Sequence, residues 1–310
     1  MAKYGYGVDV GGTTVKMGLF TENGKLIKKW AIDTDVSNGG KYIPSDISKS
    51  ILADINTYTF SHEDIIGIGI GIPGQVHKDG TADAVNLGWN RLPLIPELSA
   101  ITGLRIVCDN DANMAAMGEY WMGSGRDYSS LVLVTLGTGV GGGIVVDGKC
   151  FTGAHGAGGE IGHLPINLHE TRRCSCGSRG CLEQYASATG NVRLAMDLLA
   201  ERNEPSILRS VGKLDAKACW DAAIAGDELA IEIADRFSDY LARGLAVVAN
   251  TVDPDVILLG GGVSHAGASL VERVTSHYRQ YAFPACRNTE IALAALGNDA
   301  GIYGCMYSLI

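Results

Sequence analysis

Two stretches of the chain, residues 4–24 and 131–149, carry one pattern: an apolar strand, a glycine-rich tip and a second strand closed by a polar turn. In the first, YGYGVDV runs into GGTT and continues as VKMGLF to the turn at Glu22–Gly24; in the second, LVLVTL meets GTGVGGG and leaves through IVVDGK. The chain thus contains two related hairpins, each able to cradle phosphate. Each tip, Gly11, Gly12, Thr13 and Thr14 in one and Gly137, Thr138 and Gly139 in the other, gathers backbone N–H groups and hydroxyls into an anion-binding nest. Taken singly, each is equally a plain glycine hairpin. Two nests facing each other across a cleft suit a nucleoside triphosphate. A dinucleotide-binding Rossmann unit is excluded, because the G-x-G-x-x-G run at 137–142 leads into a strand and not into a helix.

The densest chemistry lies between the second hairpin and the next helix, in GGEIGHLPINLHETRRCSCGSRGCLEQY from Gly158 to Tyr185. Cys174, Cys176 and Cys181 are separated by one and four residues, and ten residues lie between His163 and the first of them. One imidazole and three thiolates are the ligand set of a tetrahedral zinc site. The surrounding Arg172, Arg173 and Arg179 make the loop polar, where unligated thiols would be exposed to oxidation. The other cysteines, Cys108, Cys150, Cys219, Cys286 and Cys305, stand singly in apolar segments without a disulfide framework. A metal that pins His163 and Cys181 also pins Glu160 and Glu183 beside them. Fixed carboxylates suit a ligand with several hydroxyls, since each accepts two or more O–H hydrogen bonds. A role behind the metal ligands is equally open to them.

Along the rest of the chain, Asp9 ends the first strand, where it could hold Mg²⁺ directly or through water beside the phosphates. Ile43, Ile47, Ile51, Ile55 and Tyr58 predict a helix over 44–59. IIGIGIGI at 65–72 reads as a buried strand whose glycines admit another backbone. Asn86 follows in a loop, where it could donate to a sugar hydroxyl or close a turn. A strand over 105–109 precedes DNDANMAAMGEYWMG, which predicts a helix with Asn110 or Asp111 at its start. Asp111 could cap that helix, and equally serve as the base of a phosphoryl transfer. Further helices are expected at 186–200, 217–225, 227–252 and 268–281, strands at 256–260 and 290–294, and a last helix over 299–308. The apolar second half of 227–252 calls for burial in a core or a subunit interface. Gly260–Gly262, Gly261 foremost, and Asn298 could contact a nucleotide's base and ribose, or simply shape turns.

A net charge of −9 argues against a nucleic-acid surface or an anionic membrane as partner. No signal region opens the chain, no window has the span of a membrane helix, and the unpatterned cysteines point to a reducing cytoplasm.

With DVGGTT at 9–14, GIPG at 71–74, NDAN at 110–113, LGTGVGGG at 136–143, GEIGH at 159–163, CxCGxxGCLE at 174–183, GGG at 260–262 and LGNDAG at 296–301, the sequence resembles the ROK family of bacterial sugar kinases and repressors. The resemblance implies an α/β chain of the duplicated ribonuclease-H-like, actin-like ATPase fold, with two domains around a cleft. We expect a small domain over 1–112, completed by a C-terminal helix at about 298–310. A large domain over 113–297 would carry the zinc-binding loop and a helical dimerisation surface. By the same resemblance Asp111 is the base that takes the proton of a sugar 6-hydroxyl. Asn86, Asn110, Asp111, Glu160, His163 and Glu183 bind the sugar, and His163, Cys174, Cys176 and Cys181 hold a structural zinc. Asp9, the two tips, Gly261 and Asn298 place Mg²⁺ and ATP. Repressors of the family carry a helix-turn-helix before the first hairpin; here eight residues precede Asp9, and a kinase is expected. The expected activity is phosphorylation of glucose to glucose 6-phosphate by a homodimer or tetramer. N-acetylmannosamine, fructose or allose as substrate, and a sugar sensor without catalysis, are the alternatives.

Overall fold

Short apolar runs broken by glycine and polar turns fold residues 4–33 into three strands, β1 (Tyr4–Val10), β2 (Thr14–Thr21) and β3 (Leu26–Asp33), paired as antiparallel neighbours. The computed structural model describes residues 3–310. A single turn α1 (Ser37–Gly40) leads to helix α2 (Ile43–Tyr58). Ile43, Ile47, Ile51 and Ile55 of that helix are buried. Each such side chain contributes about 1.5–3 kcal/mol, so packing and not helix propensity holds α2 in place. Tyr58, grouped by spacing with those isoleucines, is instead exposed and stacks on Phe60.

Strand β4 (Ile65–Ile72) runs parallel to β1. A small antiparallel sheet follows, made of β5 (Gln75–Val76), β6 (Ala82–Ala84) and β7 (Trp89–Leu92). Helix α3 (Leu94–Thr102), strand β8 (Ile106–Asn110) and helix α4 (Asp111–Met122) come next, and β8 pairs parallel to β4. The sheet order is β3-β2-β1-β4-β8.

The second sheet repeats that plan. Strands β9 (Leu131–Leu136), β10 (Val140–Val146) and β11 (Lys149–Cys150) are consecutive neighbours. After the helices α5 (Glu183–Ala186), α6 (Ala188–Glu201), α7 (Ala216–Ile224) and α8 (Glu228–Val252), strand β12 (Val256–Gly260) pairs parallel to β9. Helix α9 (Ala268–Tyr281) then leads to β13 (Glu290–Leu293), parallel to β12, and α10 (Ala300–Tyr307) ends the chain. The order β11-β10-β9-β12-β13 reproduces the first sheet element for element. The duplicated fold that the family resemblance implies is therefore present at the level of whole sheets.

The chain divides into two compact units. The first holds the described residues up to Asp127, with Gly143–Gly158 and Leu296–Ile310; the second holds Tyr128–Gly142 and Gly159–Ala295. In the second unit, the apolar half of α8 is buried at Leu241, Ala242, Leu245, Val248 and Ala249, so core packing accounts for its composition. The helix expected at 186–200 is α6, which starts at Ala188 because Ser187 adopts extended backbone and caps it by accepting from the Gly190 N–H. Its hydroxyl also donates to the Glu183 carbonyl at 2.7 Å, closing α5 behind it.

In the first unit, glycines let α10 lie against bare backbone. A Cβ on Gly7 or Gly69 would sit 2.0 or 1.8 Å from the carbonyl oxygens of Ile302 and Cys305, and one on Gly304 would sit 1.6 Å from that of Met114. Gly7 of β1 and Gly69 of β4 thus admit the backbone of a helix more than two hundred residues away. We predict that Gly304→Ala lowers the urea midpoint by the equivalent of about 1–3 kcal/mol or more, the cost of overpacking. The exposed control Lys49→Ala should shift it by no more than about 0.5 kcal/mol; equal midpoints would contradict the close approach.

Candidate functional site

In the first unit, candidate residues collect where parallel strands end, the place ligands occupy in open α/β sheets. Pairing aligns Asp9 on β1 with Gly71 on β4, and Gly71 with Asp109 on β8. Burial pushes the Asp9 carboxyl up from the ordinary aspartate value, against the pull of Lys16. Lys16 sits opposite Asp9 in the hairpin, with Nζ 3.5 Å from Oδ2, and it also donates to the Asn298 carbonyl at 3.3 Å. The structure therefore brings Asp9, Lys16 and Asn298 together. Lys16 was missed in the sequence, although centring the hairpin on its GGTT tip places it across from Asp9.

The tip is pinned from beside it. The Gly11 N–H donates to the Thr14 carbonyl at 3.0 Å, and Thr34 donates its N–H to Thr13 O and its hydroxyl to Gly11 O. With the Gly11 N–H spent on the turn, the exposed Gly12 and Thr13 form the outer face.

At the start of α4 the cap is Asn110. Its Oδ1 accepts from the N–H groups of Ala112 and Asn113 at 2.9 and 3.3 Å, and its Nδ2 donates to Gly74 O at 3.2 Å. Asp111 is the first helical residue, with Oδ1 accepting from the Ala112 N–H at 2.8 Å. The helix N-terminus favours an ionised carboxylate there. Behind it, Asp109 accepts from the Asn110 N–H at 2.7 Å and from Asn113 Nδ2 at 3.2 Å, while burial pushes its carboxyl up. Nothing in the sequence singled out Asp109 beyond its place at a strand end. Asn86 is exposed on the 3₁₀ turn Val85–Leu87.

In the second unit, the ligand atoms of His163, Cys174, Cys176 and Cys181 all lie within 4.8 Å of one another. With Zn–S near 2.3 Å and Zn–N near 2.0–2.1 Å, tetrahedral angles put two sulfurs about 3.8 Å apart and a nitrogen about 3.6 Å from a sulfur. Cys176 Sγ and Cys181 Sγ are 3.7 Å apart, and Cys174 Sγ lies 3.6 Å from His163 Nδ1. The four residues fit a zinc ion. Ligation through Nδ1 would leave the ring proton on Nε2.

That ring stands between the two expected carboxylates. Glu160 Oε2 lies 3.8 Å from Nε2, and Glu183 Oε1 lies 3.8 Å from Nδ1. The Ser175 hydroxyl donates to Glu183 Oε1 at 2.9 Å, a contact that survives when Cys174 is a metal-bound thiolate. The second glycine tip belongs to the same neighbourhood. A Cβ on Gly139 would meet Glu183 Oε2 at 2.6 Å, and the Ala188 N–H donates to Gly137 O at 2.8 Å. Thr138 is exposed at the apex. Gly261, with φ of +80°, packs against the Leu136 backbone just before the tip. Gly137, Gly139, Gly261, Glu183 and the cysteine cluster thus share one end of the second unit.

Residues 5–309 match the profile of the ROK family. The chain belongs to the ROK family. It is 41% identical over 304 residues to a glucokinase of Halalkalibacterium halodurans, covering 96% of this chain and 92% of that one. It is 37% identical over 305 residues to a glucokinase of Thermotoga maritima, covering 96% and 94%. Among solved structures it is similar to a ROK family glucokinase from Streptomyces griseus in complex with glucose and AMPPNP, at 30% identity and a TM-score of 0.78, covering 99% of both chains. The duplicated sheets are accordingly the actin-like ATPase fold of ROK hexokinases. Among the described residues, no helix is long and apolar enough to cross a membrane.

If the ROK cysteine cluster holds its loop through a metal, removing one ligand should release the ion. We predict that Cys176→Ser loses its zinc during dialysis against a chelator that the unaltered protein withstands, read by atomic absorption. Equal retention would contradict the fourfold ligation.

Proposed function

We propose that this chain is a glucokinase, transferring the γ-phosphoryl group of ATP to the 6-hydroxyl of glucose. The coarser statement, a sugar kinase of the ROK family, rests on full-length similarity to glucokinases. The observation that carries the finer reading is His163 standing between Glu160 and Glu183 with both carboxylates 3.8 Å from its ring. These gaps exceed a direct hydrogen bond, which leaves both carboxylates lone pairs for sugar hydroxyls. Glucose as the sugar is supported by the similarity to named glucokinases, one of them solved with glucose and a nucleotide analogue.

In the second unit, Glu160 and Glu183 would accept hydroxyl protons while His163 Nε2–H donates. Zinc, when bound, would supply fixed geometry and no chemistry. In the first unit, Asn110 would orient the start of α4, and Asp111 would be the base. As the 6-oxygen bonds to the γ-phosphorus and the bond to the ADP oxygen breaks, the hydroxyl proton passes to the Asp111 carboxylate. Magnesium, when bound with ATP, would neutralise phosphate charge. Asp9 suits a place beside it, because the cation would hold ionised a carboxyl that burial now pushes up. Gly12, Thr13, Gly137, Thr138, Gly139 and Gly261 would face the nucleotide with backbone, and Asn298 with its exposed side chain. Asn86 would add a contact to the sugar. Such catalysis is positioning and charge stabilisation for the most part.

Asp111→Asn keeps the size of the side chain and removes the base. We predict a fall in kcat of about two to four decades with glucose binding by calorimetry changed less than about twofold. Unchanged turnover would remove Asp111 from this role.

A further inference from the structure

Helix α5 is four residues long and carries Glu183 as its first residue. A single turn does not hold itself in water, so the direction of Glu183 is set by whatever fixes the turn. The cysteine cluster ends in sequence at Cys181, before the turn, although Cys174 Sγ and the Ser175 hydroxyl touch Glu183 Oε1 at 3.0 and 2.9 Å. Gln184 adds a strap, accepting from the Cys181 N–H at 3.1 Å and donating to Arg172 O at 3.1 Å. The strongest hold is on Tyr185. Its side chain is buried, its phenol donates to Glu170 Oε2 at 2.6 Å and accepts from Asn167 Nδ2 at 2.9 Å, and its ring stacks on Tyr240 at 4.2 Å between centroids.

Glu170 is itself immobilised. Its other oxygen accepts from the N–H groups of Thr171 and Arg172, both at 2.9 Å, and from Arg172 Nε at 3.1 Å. The Arg172 guanidinium also reaches Glu170 Oε2 at 3.1 Å and Asp197 on α6 at 3.0 Å. Behind α5, Gly190 brings the first turn of α6 against the Tyr185 backbone, where a Cβ would come within 2.8 Å of its N, C and O atoms. The turn that aims Glu183 is thus clamped through Tyr185 by bonds independent of the metal.

We propose that Tyr185, anchored by Glu170, is a positioning residue that sets the direction of the Glu183 carboxylate and thereby the affinity for the sugar hydroxyls. This inference rests on the reading of Glu183 as a sugar ligand. The phenol does not touch the sugar; its bond to Glu170 fixes how far α5 can roll. The ring stack on Tyr240 fixes its depth.

The test is a double-mutant cycle on the full-length, zinc-loaded protein, with glucose KM, ATP KM, kcat and zinc content read for each variant. Tyr185→Phe keeps the ring and its stack and removes only the hydroxyl. It should raise the glucose KM by about tenfold while kcat and ATP KM stay within about twofold and zinc stays at its usual content. Glu170→Gln should act in the same direction, and serves if the tyrosine variant does not fold. Adding Tyr185→Phe to Glu183→Gln should cost no further rise in glucose KM, because the two act through one carboxylate. A glucose KM unmoved by Tyr185→Phe while Glu183→Gln raises it, or additive effects in the double variant, would overturn the inference. A glucose KM unmoved by Glu183→Gln would instead overturn the reading of Glu183 on which it rests.

Discussion

Four side chains, His163, Cys174, Cys176 and Cys181, converge to spacings that match a tetrahedral zinc ion, and the geometry of the second unit's site depends on that convergence. The loop between them has only two isolated bridges of strand pairing, Pro165 with Cys181 and Arg173 with Arg179. Side-chain bonds through Glu170 and Tyr185 steady its Glu183 end. Ligation would make it a rigid frame, in which the ring of His163 stands between Glu160 and Glu183. Metal binding is folding free energy for a loop of this kind. That stiffness would serve the proposed recognition of sugar hydroxyls, which suffers when acceptors drift by an ångström.

Duplication supplies the other half of the arrangement. Each sheet sets three consecutive neighbours beside two parallel strands, and each places a glycine tip after its first strand. Parallel strands end together, so Asp9, Asp109 and Asp111 gather at one end of the first sheet. The Gly137–Gly139 tip and Gly261 gather at the corresponding end of the second. Glycine on β4 then lets α10 close the first unit from the far end of the chain.

Much of this was legible in the sequence because the signals are local. The strand, tip and strand pattern, the isoleucine spacing of α2 and the cysteine spacing each lie within a few turns of chain. The assignment of the cap was not, since Asn110 and Asp111 are both good caps and only the backbone of β8 decides for Asn110. Ser187 interrupted a stretch whose composition is helical, because its hydroxyl competes for backbone partners on both sides. The small sheet of β5, β6 and β7 carried no signal above its short, polar segments. Asp109 acquires meaning from pairing register, and Glu170 from Tyr185, fifteen residues on. Contacts of that range are invisible to spacing.

The proposed activity is transfer of the ATP γ-phosphoryl group to glucose, with Asp111 as base and Glu160 and Glu183 binding the sugar. A coupled ADP-release assay with Mg²⁺ and ATP, comparing kcat/KM for glucose, mannose, fructose, allose and N-acetylmannosamine, tests it most directly. Turnover with a clear preference for glucose is the expected result. Preference for another sugar would contradict the specificity, and release of ADP with none of them would contradict the kinase itself.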